Sequence, residues 1–252
     1  MLVRLVTYNL LHGLRLDGGG RVDLEAAAQV IAGFDADVVA LQEVDRGLSR
    51  SDGIDQVAWL ADRLVVDGLF APALLGDPDV QRTTPNLGDP GGPGYGIGLL
   101  SRRPLGDVRS LRLPGGGDGR RRRPASPQRP GWDREPRVAV RAVVDGPLGP
   151  VAVTTTHLSY LPWRALRQLR HAARLAAAPR AVLLGDLNLP TAPVRRTLPR
   201  WHHVSAPATY PAWEPRMQAD QILLRGLRAL AADVVAETTS DHRALWVEVT
   251  PS

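Results

Sequence analysis

The stretch AVLLGDLNLP, residues 181–190, does most to limit what this chain can fold into. Ala181 to Leu184 form an unbroken apolar run of strand length, the pattern of a strand buried on both faces. Gly185 carries it straight into Asp186, Leu187 and Asn188, and Pro190 stops any further pairing. A carboxylate and a carboxamide are thus aimed from the end of a buried strand.

Similar runs recur along the chain. Residues 2–8, DVVALQEV, YGIGLLS, VRSLRL, RVAVRAVV, PVAVTTTHL, DQILL, ALAADVVAE and RALWVEV all have strand length. Residues 22–33, DQVAWLADRLV and PWRALRQLRHAARLAA space their apolar side chains as helices do. Many strands are joined by loops too short for a crossover, which predicts packed mixed sheets with helices outside them rather than a simple parallel array. No repeat, heptad or composition break marks a linker, so residues 1–252 read as one domain.

Composition bounds the chemistry. Cysteine is absent, so there is neither a disulfide nor a thiolate site, and any metal must sit on oxygen or imidazole ligands. All 31 basic residues are arginine, set against 26 acids for a net charge of +5. Arginine favours a planar grip on phosphate or carboxylate, although a coding bias toward arginine explains the count equally well. No apolar run has membrane-spanning length, and MLVRLVTYNL lacks the layout of a signal peptide. The expectation is a cytoplasmic monomer without stable membrane insertion.

Asn9, Glu43, His157 and Asp186 each end an apolar run, whereas Tyr95, Arg137, Asp220 and Asp241 each precede one. If neighbouring strands run antiparallel, all eight meet on one edge. The loop from Pro114 to Pro136, with Arg120 to Arg123, joins the same edge. Its glycines and prolines suit a solvated tip, and a phosphate-attracting flap is the alternative. Glu43 is a hard oxygen ligand for Mg²⁺ or Mn²⁺, and Asn9 offers a carbonyl oxygen or a hold on coordinated water. Asp186 suits proton abstraction from water, Asn188 suits steadying a phosphate, and His157 and His242 suit hydrogen bonding to phosphoryl oxygens, with Asp220 orienting His242.

In order, TYNLLHG, DVVALQEVD, YGIGLLSR, EPR, TTTHLS, LLGDLN, the Asp220 of ADQILL and TSDHRAL resemble the endonuclease/exonuclease/phosphatase superfamily over essentially the whole chain. The resemblance implies a four-layer α/β sandwich, two packed, mostly antiparallel β-sheets with helices on the outer faces, and a metal-dependent phosphoesterase. It makes Glu43 the principal metal ligand with Asn9 and Asp241 beside it, and Asp186 the activator of the attacking water. Asn188 then positions the phosphate, His242 with its partner Asp220 stabilises the transition state, and His157 acts as a second phosphate-side histidine. Tyr95 and Arg137 match pocket-lining positions. His12 follows a subset of small bacterial hydrolases, or is a loop residue. Ala219 departs from the bulkier residue usual before the aspartate, which predicts looser packing there.

The substrate is left open between DNA or RNA, favoured by the positive charge, and a small-molecule or lipid phosphate. A catalytically silent binding module is the third alternative. Against a duplex reader, no inserted helix or aromatic wedge stands out. Trp163 reads as a staple packing its helix onto the sheet rather than a surface anchor, and His171, His202 and His203 read as surface residues.

Overall fold

A computed structural model describes residues 2–16, 20–76, 91–115, 133, 135–236 and 239–252. The arginine run Arg120 to Arg123 and most of its loop lie outside the described residues. Twelve strands run in chain order: β1 Val3–Asn9, β2 Val38–Arg46, β3 Asp67–Leu75, β4 Gly94–Ser101, β5 Leu105–Arg112, β6 Val138–Val144, β7 Val151–His157, β8 Ala181–Asp186, β9 His202–His203, β10 Asp220–Arg225, β11 Leu227–Val234 and β12 Leu245–Pro251. Among the described residues, four α-helices accompany these strands: α1 Leu24–Gly33, α2 Gln56–Leu64, α3 Pro162–Leu175 and α4 Thr191–Thr197.

The strands form two six-stranded sheets, ordered β11-β12-β1-β2-β4-β3 and β5-β6-β7-β8-β10-β9. Two pairings are parallel, β1 with β2 and β7 with β8, and α1 and α3 lie in the connections between them. The other pairings are antiparallel.

Each sheet is apolar on both faces, so three apolar layers separate four layers of structure. Between the sheets, Leu5, Val38, Ile97 and Leu99 of the first meet Val140, Val153, Val182 and Ile222 of the second. On the outer face of the first sheet, Leu24, Ala28 and Ile31 of α1 and Leu60 of α2 pack over Val6, Val39 and Leu41. On the outer face of the second, Ala165, Leu169 and Ala172 of α3 cover Ala139, Leu183 and Leu223. This is the expected four-layer α/β sandwich. Asp23 and Asp55 start α1 and α2 by accepting from the backbone N–H groups of Ala26 and Ala58.

Gly185 is required by this packing. It has φ of +144°, and a Cβ there would fall 1.9 Å from the carbonyl oxygen of Thr156 on β7. His203 differs from the surface reading. It is half-buried on β9, and its Nε2 lies 2.7 Å from Oε1 of buried Gln221.

Candidate active site

The two parallel pairs set the ends of β1, β2, β7 and β8 on one edge. Asn9 lies opposite Gln42 and His157 opposite Asp186 in register. Strands entering from that edge run the other way. Asp220 faces Asp186 and Tyr95 faces Asp45, Arg137 stands just before β6, and Asp241 and His242 precede β12. The residues expected at the site therefore converge as strand parity requires.

Glu43 reaches the edge through a backbone irregularity. It has φ of +54°, and the β2–β4 register shifts between Gln42 and Val44, so Glu43 is the extra residue of a bulge. Gln42, before the bulge, is fully buried, accepts from Thr7 Oγ1 at 3.1 Å, and donates to Thr155 Oγ1 on β7 at 3.1 Å. This hydrogen-bonded bridge ties the sheets together one residue below the site.

Asn9 donates from Nδ2 to Glu43 Oε1 at 3.0 Å and to Asp186 Oδ2 at 3.2 Å. The Leu11 N–H donates to its Oδ1 at 3.1 Å and fixes this orientation, so Asn9 shows the two acids its amide donors. Glu43 is pushed up to about 7, by burial first, with Glu135, Asp186 and Asp241 adding repulsion and Asn9 opposing.

Around Asp186, the backbone N–H of Asn188 donates to Oδ1 at 2.9 Å. His157 Nε2 stands 3.3 Å and His242 Nε2 3.7 Å from Oδ2. Burial raises Asp186 to about 6, with Asp220 adding to the rise and His242 opposing it. Asn188 has φ of +49°, which brings its Nδ2 to 3.0 Å from Leu158 O and 3.2 Å from His157 Nε2.

The two histidines are held in opposite charge states. Burial, and then the neighbouring Arg137 and His242, push His157 well below its ordinary range, leaving it neutral. For His242 burial acts in the same direction, but Asp220 and Asp186 outweigh it and raise it to about 10. His242 Nδ1 lies 2.8 Å from Asp220 Oδ2, while the other Asp220 oxygen is buried without a hydrogen-bond partner. Backbone N–H groups of Ala219 and Asp220 both donate to Thr209 Oγ1 at 3.1 Å, which seats the aspartate. Ala219 itself is fully buried.

Arg137 is buried, 3.0 Å from Glu135 and 3.6 Å from Asp133. Burial works against its charge, but these acids outweigh it and hold the guanidinium above its ordinary range. Burial, and then Glu43, keep the Tyr95 phenol protonated well beyond its usual range. Arg50, held by both Asp45 oxygens at 2.7 and 2.8 Å, lies over the Tyr95 ring. His12 contributes its backbone carbonyl, which accepts from Gln56 Nε2 at 2.7 Å.

Tyr210 joins the site without any sequence expectation. Its ring packs 4.6 Å from that of His242, and its hydroxyl is raised by partial burial and then by Asp241, Asp186 and Glu43. It lies in a stretch with no periodicity, where only proximity in the fold could reveal it.

Among the described residues one cluster has the spacing to hold a metal ion. One oxygen or nitrogen each from Asp186, Asp220 and His242 lie within 4.8 Å of one another. Metals bind neutral imidazole, however, and His242 is held charged with Nδ1 already taken by Asp220. A hard divalent cation beside Glu43 fits better, since its charge would offset the burial and the repulsion from Glu135, Asp186 and Asp241 that raise Glu43.

The profile of the Endonuclease/Exonuclease/phosphatase family matches residues 6–242. The chain belongs to this family. No curated protein matches the sequence. Among solved structures, an endonuclease/exonuclease/phosphatase from Beutenbergia cavernae aligns with a TM-score of 0.76 and 24% identity, over 100% of this chain and 72% of that one. A mannosyl-6-phosphatase from Bacteroides thetaiotaomicron aligns at 0.67 and 15%, over 98% and 99%. TDP2 from D. rerio, in complex with a single-strand DNA product, aligns at 0.65 and 17%, over 99% of each chain. At these identities the likeness is one of fold, and family membership brings hydrolysis of phosphoesters as the general chemistry.

Proposed function

We propose that this family member hydrolyses a phosphodiester by in-line attack of water and depends on Mg²⁺ or Mn²⁺. The observation that carries the reading is the convergence on Asp186 Oδ2 of Asn9, His157 and His242, with Glu43 bridged to the same carboxylate through Asn9.

Glu43, with Asp241 beside it, would hold the divalent ion, whose role when bound is to neutralise phosphate oxygens. Asn9, expected as a further ligand, has its Oδ1 engaged by the Leu11 N–H and turns Nδ2 to Glu43, so it would orient that carboxylate instead. Asp186 accepts the proton of the attacking water. With a pKa of about 6 it is ionised at neutral pH yet more basic than an ordinary aspartate. Cationic His242 donates toward the phosphoryl oxygens as charge builds on them, and Asp220 keeps its ring in place. Neutral His157 and the Asn188 amide steady the phosphate from the β7 side, with Tyr95 and Arg137 lining the pocket.

The TDP2 complex supports a diester, and the mannosyl-6-phosphatase supports a phosphomonoester as the second reading. A panel of bis-p-nitrophenyl phosphate, p-nitrophenyl phosphate, plasmid and short RNA, run with Mn²⁺ on wild type and Glu43→Ala, tests both. Metal-dependent diester turnover lost in the variant supports the proposal. Monoester turnover alone moves the assignment to a phosphatase, and full activity of Asp186→Asn sinks the role given to Asp186.

A further inference from the structure

Among the described residues, four aromatic side chains are substantially exposed: Tyr160 at 42%, Trp163 at 64%, Tyr210 at 37% and Trp213 at 70%. All four fall in two segments, and both segments border the site. The staple expected of Trp163 is not what forms. Its ring projects into solvent with the Arg164 guanidinium 5.1 Å above it.

The first segment leaves β7 at His157. Leu158 is tied to β8 and the loop after it in two ways: its N–H donates to Asp186 O at 2.9 Å, and its carbonyl accepts from Asn188 Nδ2. The Ser159 N–H donates to Gln168 Oε1, and the Leu161 N–H donates to Ser159 Oγ, so the turn carrying Tyr160 is pinned before α3 begins. Arg164 Nε and Nη1 are buried without hydrogen-bond partners beside the Trp163 ring.

The second segment is a small closed loop before β10. The N–H of Tyr210 donates to Met217 O, and that of Met217 to Tyr210 O. Trp213 sits at its turn. The loop is fastened to the other sheet by the Ala212 N–H donating to Asp241 O at 2.7 Å and by Arg243 Nε donating to Ala212 O at 2.7 Å. Both segments hold their rings on braced backbone, so stacking onto them costs little further ordering.

In the sheet, β8 lies between β7 and β10. The segment of Tyr160 and Trp163 continues from β7, and that of Tyr210 and Trp213 leads into β10, so the two segments belong to the strands on either side of the one that ends at Asp186. A phosphodiester in a nucleic acid strand likewise has one nucleoside on each side. An unpaired base has the flat π face that such rings hold, whereas acyl chains have none and duplex bases are already stacked.

We infer that Tyr160 with Trp163 and Tyr210 with Trp213 are two base-stacking platforms flanking the reaction centre, and that the substrate is a single-stranded nucleic acid. The inference rests on the phosphodiesterase reading for its chemistry, but not for its binding.

Binding is therefore measured first, by quenching of tryptophan fluorescence with a short oligothymidylate in EDTA, against a strand of the same length built from baseless deoxyribose phosphates. Preferential binding of the base-bearing strand, weakened about fivefold or more by Trp163→Ala and again by Trp213→Ala, supports the platforms. Equal binding of the two strands, or preference untouched by both substitutions, overturns them. With Mn²⁺ added, kcat/KM for the base-bearing strand should fall toward that of the baseless strand in the double variant. If neither strand nor bis-p-nitrophenyl phosphate is cleaved, the phosphodiesterase reading fails while the EDTA binding result still decides the platforms.

Discussion

Asp220 and His242 meet at 2.8 Å although they belong to different sheets, Asp220 opening β10 in one and His242 leading into β12 in the other. The contact keeps the imidazole charged, with its pKa raised to about 10 against 6.5 for a free ring.

That shift has a signed effect on stability. The folded state binds the extra proton between pH 6.5 and about 10, so the contribution of the pair is complete below 6.5 and is lost as pH rises through that window. Asp220→Asn should flatten the alkaline decline in urea-unfolding free energy measured in EDTA, and NMR titration should find the His242 ring deprotonating at lower pH. A His242 pKa unmoved by the substitution would contradict the pairing.

Glu43→Gln keeps the size of the side chain and removes its charge. If Glu43 is the principal seat of the cation, Mn²⁺ binding by calorimetry should weaken strongly and turnover should fall roughly a thousandfold. The variant should retain the wild-type unfolding midpoint in EDTA, because burial disfavours the charged carboxylate in the first place.

Thr155→Val preserves shape but removes the oxygen that accepts from Gln42 Nε2. A buried donor left without a partner costs about 1–3 kcal/mol. The same change loosens the bridge between β2 and β7 beneath the site, so kcat should fall along with stability. Loss of stability with kcat unchanged would mean that the bridge does not position Glu43 against Asp186.

Gly185→Ala tests the close approach of β8 to β7. The new Cβ would strike Thr156 O, so the strands must part, at a cost of about 1–3 kcal/mol. Calorimetry should show a melting temperature several degrees lower, and activity should drop because Asp186 is the next residue.

Much of this arrangement was legible in the sequence because the end of one strand and the start of an antiparallel neighbour share an edge, as do the ends of the parallel pairs β1–β2 and β7–β8. Once Asn9, Glu43, His157 and Asp186 end apolar runs, and Tyr95, Arg137, Asp220 and Asp241 precede them, a shared edge follows from parity. What escaped depends on the third dimension. Strand β3, DGLFAPALL, is broken up by Gly68 and Pro72, and it pairs with β4 through a bulge between Pro72 and Leu74. Helix α4 is seven residues long, too short for periodicity to reveal. Tyr210 reaches the site by packing on His242 from an aperiodic loop. Trp163 has the position of a staple, and only its exposure in the fold shows that it points away from the sheet.

The site residues are divided between the two sheets. Asn9, Glu43, Asp241 and His242 come from one, and His157, Asp186, Asn188 and Asp220 from the other. On the proposed roles neither sheet alone holds a complete set, so turnover requires both, and its loss on heating or partial unfolding would report their separation.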